Sequence, residues 1–289
     1  MTLLDEIKTR ARSFWSGGSL FKRGPVVAVL RFEGVISPRP RRGAVSLQTY
    51  AAAIDKAFSL KGLVALALVV NSPGGTPVQS ALLFRRIRQL AAEKKVPVFA
   101  FAEDVAASGG YYLLLAGDEI YSEEASILGS IGVISASFGF AGLIQKWGVE
   151  RRLHTAGERK AFLDPFLPED ENDVERLSLL QRSIHEVFQD EVRRRRGDKI
   201  DAADEALFSG EILSGRMAVA RGLADGIGEP RGVMRARFGE NVRLRPVSAA
   251  RRRWRWRGLL RFSAGEPSAV LAELLDWVET RLLWARFGL

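Results

Sequence analysis

The stretch LVALALVVNSPGGT (63–76) decides how this sequence folds. Its first eight residues are apolar, and the run is far too short to cross a bilayer, which takes about 20 residues. A short apolar run that ends in a Pro-Gly-Gly break is typical of a strand buried inside a sheet. A helical pattern begins at Pro77, a residue favoured in the first turn of a helix, so the stretch predicts a strand-turn-helix unit.

The same alternation continues on both sides of this unit. The pattern predicts strands at 26–36, 97–103, 117–124, 130–135 and 149–155, and helices at 46–60, 77–95, 139–147, 169–196 and 212–228. Strands that alternate with helices indicate an α/β fold with a mainly parallel sheet.

Composition excludes several kinds of chemistry. The chain of 289 residues has no cysteine, which excludes disulfides, thiol nucleophiles and cysteine-bound zinc. It has two histidines, His154 at the end of a short strand and His185 in a charged helix, where we expect it to be exposed. A histidine base or a histidine metal site therefore has few candidates.

The net charge of +9 comes from one part of the chain. Residues 235–257 hold nine arginines and one acid, Glu240, so the remainder is close to neutral. The basic character is therefore a local feature and says little about the main domain. No secretory signal and no long apolar segment is apparent, so we expect neither cleavage by the secretory machinery nor a membrane-spanning helix.

The segment AASGG (106–110) joins a second buried strand to a helix. Small neighbours leave room above the hydroxyl of Ser108, and the backbone N–H groups of Gly109 and of Gly74 or Gly75 are free of side chains. An attacking hydroxyl needs such access, and the oxyanion that it creates needs such donors. The alternative is a plain tight turn in which small residues only allow close packing.

A serine nucleophile needs a base, and the candidate is Lys160 in GERKAFLDPF (157–166). An ordinary lysine has a pKa near ~10.4 and keeps its proton at neutral pH. Burial among apolar residues lowers the pKa of a lysine and makes a neutral amine available as a base. The alternatives are that Lys160 is a solvated loop residue or that His154 is the base.

Taken together, NSPGG, AASGGYY, LGSIGVI and the G-x-x-K segment resemble the signal peptide peptidase A family of serine peptidases, in its short SohB-like form. The resemblance implies Ser108 as nucleophile and Lys160 as general base. It also implies that Ser130 hydrogen-bonds this lysine and that the N–H of Gly75, with that of Gly109, forms the oxyanion hole. It covers roughly residues 25–230.

The resemblance further implies the Clp protease/crotonase-like fold of stacked ββα units. It implies peptide substrates, ring-like homo-oligomers in which subunits can share an active site, and hydrolysis in or near membranes without metal or cofactor. Two alternatives stay open. One is a crotonase-type acyl-CoA enzyme that uses Glu103, Asp104 or Glu124, and the other is a non-catalytic scaffold at a membrane surface.

Three parts are expected along the chain. Residues 1–24 form a leader helix and loop, residues 25–232 the serine peptidase domain, and residues 233–289 an arginine- and tryptophan-rich segment with an amphipathic helix. The mixture of cations and indoles at 251–262 suits an anionic membrane surface, although docking on the protein itself and nucleic acid are alternatives. We expect a cytoplasmic protein that contacts the inner face of the membrane through 251–289, and nucleic acid is not the expected partner.

Overall fold

The computed structural model describes residues 24–38, 43–157, 159–201, 203–249, 277–278 and 280–288. The predicted leader helix and the arginine- and tryptophan-rich stretch lie outside these residues. Part of the predicted C-terminal helix is described, since residues 277–278 and 280–285 are helical. No helix among the described residues has both the length and the apolar character that a bilayer crossing requires.

Among the described residues, eight strands form one sheet. They are β1 Val26–Glu33, β2 Leu63–Ser72, β3 Val98–Ala107, β4 Glu119–Ser122, β5 Ile127–Gly129, β6 Ile212–Ser214, β7 Gly226–Ile227 and β8 Arg243–Val247. The main path runs β6-β5-β3-β2-β1-β8, and β4 and β7 branch from β3. Every pairing is parallel except that of β5 with β6. The expected α/β class is confirmed.

Helices connect these strands and cover the sheet. They are α1 Leu47–Phe58, α2 Pro77–Lys94, α3 Gly109–Leu114, α4 Ala141–Lys146, α5 Glu171–Arg196, α6 Gly215–Ala220 and α7 Pro230–Phe238. The larger core lies between the sheet and α1, α2 and α3, and a smaller core lies under α7 around Met234. Because both faces are covered, the central strand β2 is buried along almost its whole length, as its apolar sequence predicts. The sheet extends through β8 into the residues that the sequence analysis treats as an extension.

Two predicted strands do not form. Residues 130–135 and 149–155 lie in irregular structure, and no residue from 132 to 168 among those described is buried. The backbone N–H groups of residues 131–139 donate no hydrogen bond to any described residue. Their β-branched sequence has no strand to pair with among the residues that the structure describes, so propensity alone does not produce a ladder. We term residues 133–168 the arm.

A buried ion pair fastens the end of α5 to the sheet. Arg196 is 4% exposed, and its guanidinium donates to both carboxylate oxygens of Asp225 at 2.9 and 3.1 Å. Lys199 and the N–H of Ile120 donate to the same carboxylate. Burial acts to raise the pKa of Asp225, but these hydrogen bonds outweigh it and hold the pKa below its ordinary value.

Replacing Asp225 by Asn should lower the free energy of unfolding by about 3 kcal/mol at neutral pH, because Arg196 stays buried without its counter-charge. Since the folded-state pKa is depressed, the stabilisation is present above the ordinary carboxyl pKa of ~3.9 and is lost as the pH falls through the folded value. Urea unfolding of both proteins at decreasing pH should therefore show the difference narrowing below about pH 4.

The exposed pair of Asp55 with Arg86 supplies the matched control. Asp55→Asn should cost less than about 1 kcal/mol, because solvent screens an exposed pair. An equal loss in both variants, or a gap for Asp225→Asn that does not narrow in acid, would contradict the assignment.

Candidate active site

Loops that follow four strands meet at the carboxyl edge of the sheet. The N–H of Ile36, after β1, donates to the carbonyl of Gly74, after β2, at 2.8 Å. The N–H of Ser108, after β3, donates at 2.8 Å to the carbonyl of Gly129 at the end of β5. The carboxyl ends of neighbouring parallel strands share one edge, and this topology brings the separate sequence motifs together.

Ser108 adopts a strained backbone conformation at the start of α3. Its φ is 51° and its ψ is −121°, a region that costs a non-glycine residue about 1–3 kcal/mol. Its N–H donates to Gly129, and its carbonyl accepts from the N–H of Tyr112 at 3.0 Å. The surrounding structure therefore holds the residue in place. A strained strand-to-helix turn is how hydrolases of another fold present a nucleophilic serine.

The glycines around Ser108 allow the loops after β2 and β3 to touch. A Cβ on Gly74, whose φ is +102°, would lie 2.9 Å from Cβ of Ser108 and 3.0 Å from the nitrogen of Gly109. A Cβ on Gly109 would lie 2.5 Å from Oγ of the buried Ser80 and 3.4 Å from the nitrogen of Gly75. Side chains at these positions would force the loops apart, so the glycines are required by close approach of backbone to backbone.

Two backbone donors at this junction are unused. Among the described residues, neither the N–H of Gly75 nor that of Gly109 donates a hydrogen bond. Gly75 forms a bridge with Ile36, but the bonds of that bridge come from Ile36 and Thr76. Free N–H groups beside a strained serine are what an oxyanion requires.

Ser130 lies next to this junction. It follows Gly129, which accepts from Ser108, and its own N–H donates to the carbonyl of Glu211 at 2.7 Å. Its φ of 52° is again unusual for a residue with a side chain. The structure therefore brings Ser108, Ser130 and the two predicted amide donors of Gly75 and Gly109 into one neighbourhood.

Lys160 lies in the arm, and its side chain is exposed. Its N–H donates to the carbonyl of Gly157 at 3.3 Å, which forms a turn, and Cγ of the lysine lies 3.5 Å from the position that a Cβ on Gly157 would take. Among the described residues no hydrogen bond joins its ammonium to Ser108 or Ser130. Within a single chain the predicted base is therefore not in contact with the predicted nucleophile. His154 is exposed in the same arm.

The carboxylates of the crotonase-type alternative are engaged elsewhere. Glu103 pairs with Arg31 at 2.7 Å, Asp104 accepts from the amide of Asn71 at 2.7 Å, and Glu124 pairs with Arg216. Each carboxylate has a partner that accounts for it as part of the scaffold.

Two polar residues support the site although the sequence did not point to them as site residues. Asn71 is 7% exposed, and its side chain binds Asp104 and also accepts from the N–H of Val105 at 3.2 Å, which links the ends of β2 and β3. A polar residue at the end of an otherwise apolar strand is the signal that could have revealed it. His185 was expected to be exposed, and this is wrong. It is half-buried, and its Nε2 forms a hydrogen bond with the carbonyl of Ile131 at 3.0 Å, one residue after Ser130.

Comparison with known proteins supports one family. The model described as Peptidase family S49 matches residues 90–238, about half of the chain. A putative signal peptide peptidase SppA of Enterococcus faecium is 32% identical over 63% of this chain and 52% of its own length. A Na(+)/H(+) antiporter NhaA of Brucella abortus (strain 2308) is 45% identical over 91% of this chain, which spans 37% of that protein.

A solved structure, that of a membrane-bound stomatin-specific protease in complex with a substrate peptide, aligns with 77% of this chain and 92% of its own. Its TM-score is 0.49 at 15% identity, too low a likeness to support any statement about the site. The chain spans about a third to a half of the length of the two curated relatives described above.

The motifs, the sheet topology and the family match agree with one another. The resemblance to the SppA and SohB proteases is confirmed, and the Clp protease/crotonase-like fold stays what this resemblance implies. This chain belongs to Peptidase family S49.

Proposed function

We propose that this chain is a serine peptidase in which Ser108 attacks the peptide carbonyl and Lys160 is the general base. The observation that carries the proposal is the strained conformation of Ser108 beside the two unused N–H groups of Gly75 and Gly109. A turn that served packing alone would not need a non-glycine residue at a positive φ. In such a turn a glycine would adopt the same φ without strain.

The chemistry needs only side chains and backbone. Lys160, as a neutral amine, takes the proton of the Ser108 hydroxyl while Oγ bonds to the peptide carbon, and Gly75 and Gly109 donate to the resulting oxyanion. Lys160 then gives the proton to the leaving nitrogen, and the C–N bond breaks to leave an acyl-serine. Water attacks this ester, Lys160 takes a proton from the water, and the proton returns to Oγ.

We propose that a second copy of the chain supplies Lys160. A lysine becomes a base when it is buried against an apolar surface, and in the single chain Lys160 is exposed. The arm around it carries exposed apolar side chains, among them Phe138 and Trp147, each 79% exposed. A surface of this kind marks an interface. A homo-oligomer that covers the arm would bury Lys160 and place it beside Ser108 of a neighbour, while Ser130 orients its amine.

The proposed substrates are peptides, in particular signal peptides or other segments derived from membranes. The SppA name of the Enterococcus relative supports this class. The arginine- and tryptophan-rich stretch 251–262 would hold the protein peripherally at the inner face of a membrane.

A fluorophosphonate probe tests the assignment of the nucleophile. Such a probe phosphonylates an activated serine, and we expect it to label the protein on the peptide that contains Ser108, as located by mass spectrometry. Ser135 is exposed in the arm and should stay unlabelled, which makes it an internal control. No labelling of a folded oligomer would favour an acyl-CoA enzyme or a scaffold instead.

A further inference from the structure

The sheet has a second edge, opposite Ser108, at the amino ends of its strands. Here the chain leads into β3 through Lys94 and Lys95, into β2 through Lys61, and begins β8 with Arg243. The three lysines are exposed and Arg243 is half-buried. We term these four residues the basic rim.

Backbone hydrogen bonds hold the parts of the basic rim side by side. The N–H of Leu66 in β2 donates to Pro97, which precedes β3, at 2.9 Å. The N–H of Val26 in β1 donates to Gly62 at 3.0 Å, and that of Arg243 donates to Pro25 at 2.9 Å. Strands β3, β2, β1 and β8 are neighbours in this order, so the rim is about 15 Å wide at about 4.8 Å per strand.

The positive charge of the basic rim is not neutralised nearby. Acidic side chains at this edge are already paired with arginines: Asp118 with Arg88, Glu119 with Arg237, and Glu240 with Arg235. Glu93 next to Lys94 accepts from Gln89 and is the remaining acid of the α2 terminus. Among the described residues, none of the four rim cations has a carboxylate partner. A row of unpaired cations is an attractive surface for a polyanion.

A purely structural role explains only some of the cations in the basic rim. Lys94 lies in the last turn of α2, where a cation complements the helix dipole. Lys61 lies in the four-residue connection 59–62 between α1 and β2 and has no such role. Arg243 donates to the carbonyl of Gly24, which leaves its remaining guanidinium donors available.

The residues that precede the rim share its character. Residues 1–23 precede Gly24, which lies at this same edge just before β1. Their sequence contains five cations, two acids and three aromatic residues. These are Lys8, Arg10, Arg12, Lys22 and Arg23, then Asp5 and Glu6, then Phe14, Trp15 and Phe21. Cations that meet lipid head groups and aromatic rings at the interface are the combination found where proteins contact membranes. This composition favours a lipid surface over an acidic protein.

We infer that the basic rim binds the surface of an anionic lipid bilayer. The binding orients the molecule, because the catalytic edge lies at the other end of the strands. β2 has 10 residues, so Ser108 would be held about 30 Å from the head groups at about 3.3 Å per residue. Substrate would then reach Ser108 from the aqueous side, as a released or protruding segment.

Vesicle co-sedimentation of the full chain tests this inference. We expect binding to vesicles of phosphatidylserine and phosphatidylcholine and little binding to phosphatidylcholine alone. The combined variant Lys61→Gln, Lys94→Gln and Lys95→Gln should bind about 100-fold more weakly, because each cation near an anionic surface contributes about a factor of five. Its hydrolysis of a soluble peptide should be unchanged, so the outcome is independent of the proposed catalytic chemistry.

The matched control removes three exposed cations outside the basic rim and the arm, through Arg85→Gln, Arg182→Gln and Arg231→Gln. Its net charge equals that of the rim variant, and its vesicle binding should fall by less than about threefold, since charges far from the surface are screened. Circular dichroism would check that both variants are folded. Equal losses in the two variants, unchanged binding of the rim variant, or tighter binding to DNA than to the vesicles at the same salt concentration would overturn the inference.

Discussion

Replacing Ser108 by Ala is expected to abolish peptide hydrolysis, with a fall in kcat on the order of 10⁵- to 10⁶-fold, as removal of a nucleophile causes in other serine peptidases. Alanine keeps the Cβ and therefore the positive φ and the contacts of Ser108, but it removes the only atom that forms the acyl intermediate. The measurement is single-turnover and steady-state cleavage of a fluorogenic peptide library.

Ser59→Ala provides the control, because Ser59 is an exposed serine between α1 and β2, at the amino edge of the sheet and away from the site. Its kcat should stay within about twofold of wild type, as substitutions away from a site do. Thermal unfolding should give similar midpoints for all three proteins, which shows that the loss is chemical. A Ser108→Ala protein that still cleaves peptides would contradict the proposed mechanism. The carboxylates of Glu103, Asp104 and Glu124 would then be the next candidates for the catalytic groups.

Recovery of peptidase activity is expected when two inactive variants, Ser108→Ala and Lys160→Ala, are combined in one oligomer. Lys160→Ala should be as inactive as Ser108→Ala, because the serine then lacks a base. If the base comes from a neighbouring subunit, co-expression of the two variants should restore activity. Random mixing leaves about a quarter of the sites with an intact Ser108 facing an intact Lys160 from the next chain. The readout is kcat per subunit in the co-purified oligomer.

Two outcomes would contradict shared sites. If the dyad forms within one chain, the mixed oligomer stays inactive, since every chain lacks one member. If the protein is monomeric in solution by light scattering, the exposed arm needs a different explanation. The same mixture prepared from purified variants without subunit exchange is the control and should show no recovery.

The fold could be predicted where the sequence pattern is compatible with only one local structure. The apolar run before Asn71 can be buried only as a central strand, and the Pro-Gly-Gly break and Pro77 fix where it ends and where the next helix begins. The junction of Ser108 with Gly75 and Gly109 could be predicted for a related reason. Residues after neighbouring parallel strands reach the same edge, so motifs distant in sequence meet.

The arm could not be predicted in the same way. Residues 130–135 and 149–155 have the composition of strands, but a strand needs a partner, and whether the partner belongs to this chain or to another copy is not written in local propensity. The apolar residues after Lys160 suggested a buried lysine, whereas Phe162 is 41% exposed. An apolar residue shows that a surface will be covered, and it does not show by what.

β8 is the outermost strand on its side of the described sheet, and it would limit how copies of this chain associate. Arg243 directs its N–H towards β1, so by alternation the outward donors belong to Leu244 and Pro246, and proline has none. With arginines at 243 and 245 beside it, this margin resists the addition of a further strand and so prevents open-ended, fibre-like growth. In the proposed homo-oligomer, contact between subunits would then lie on the opposite flank, where the described sheet ends at β6, and a closed assembly of defined size would result.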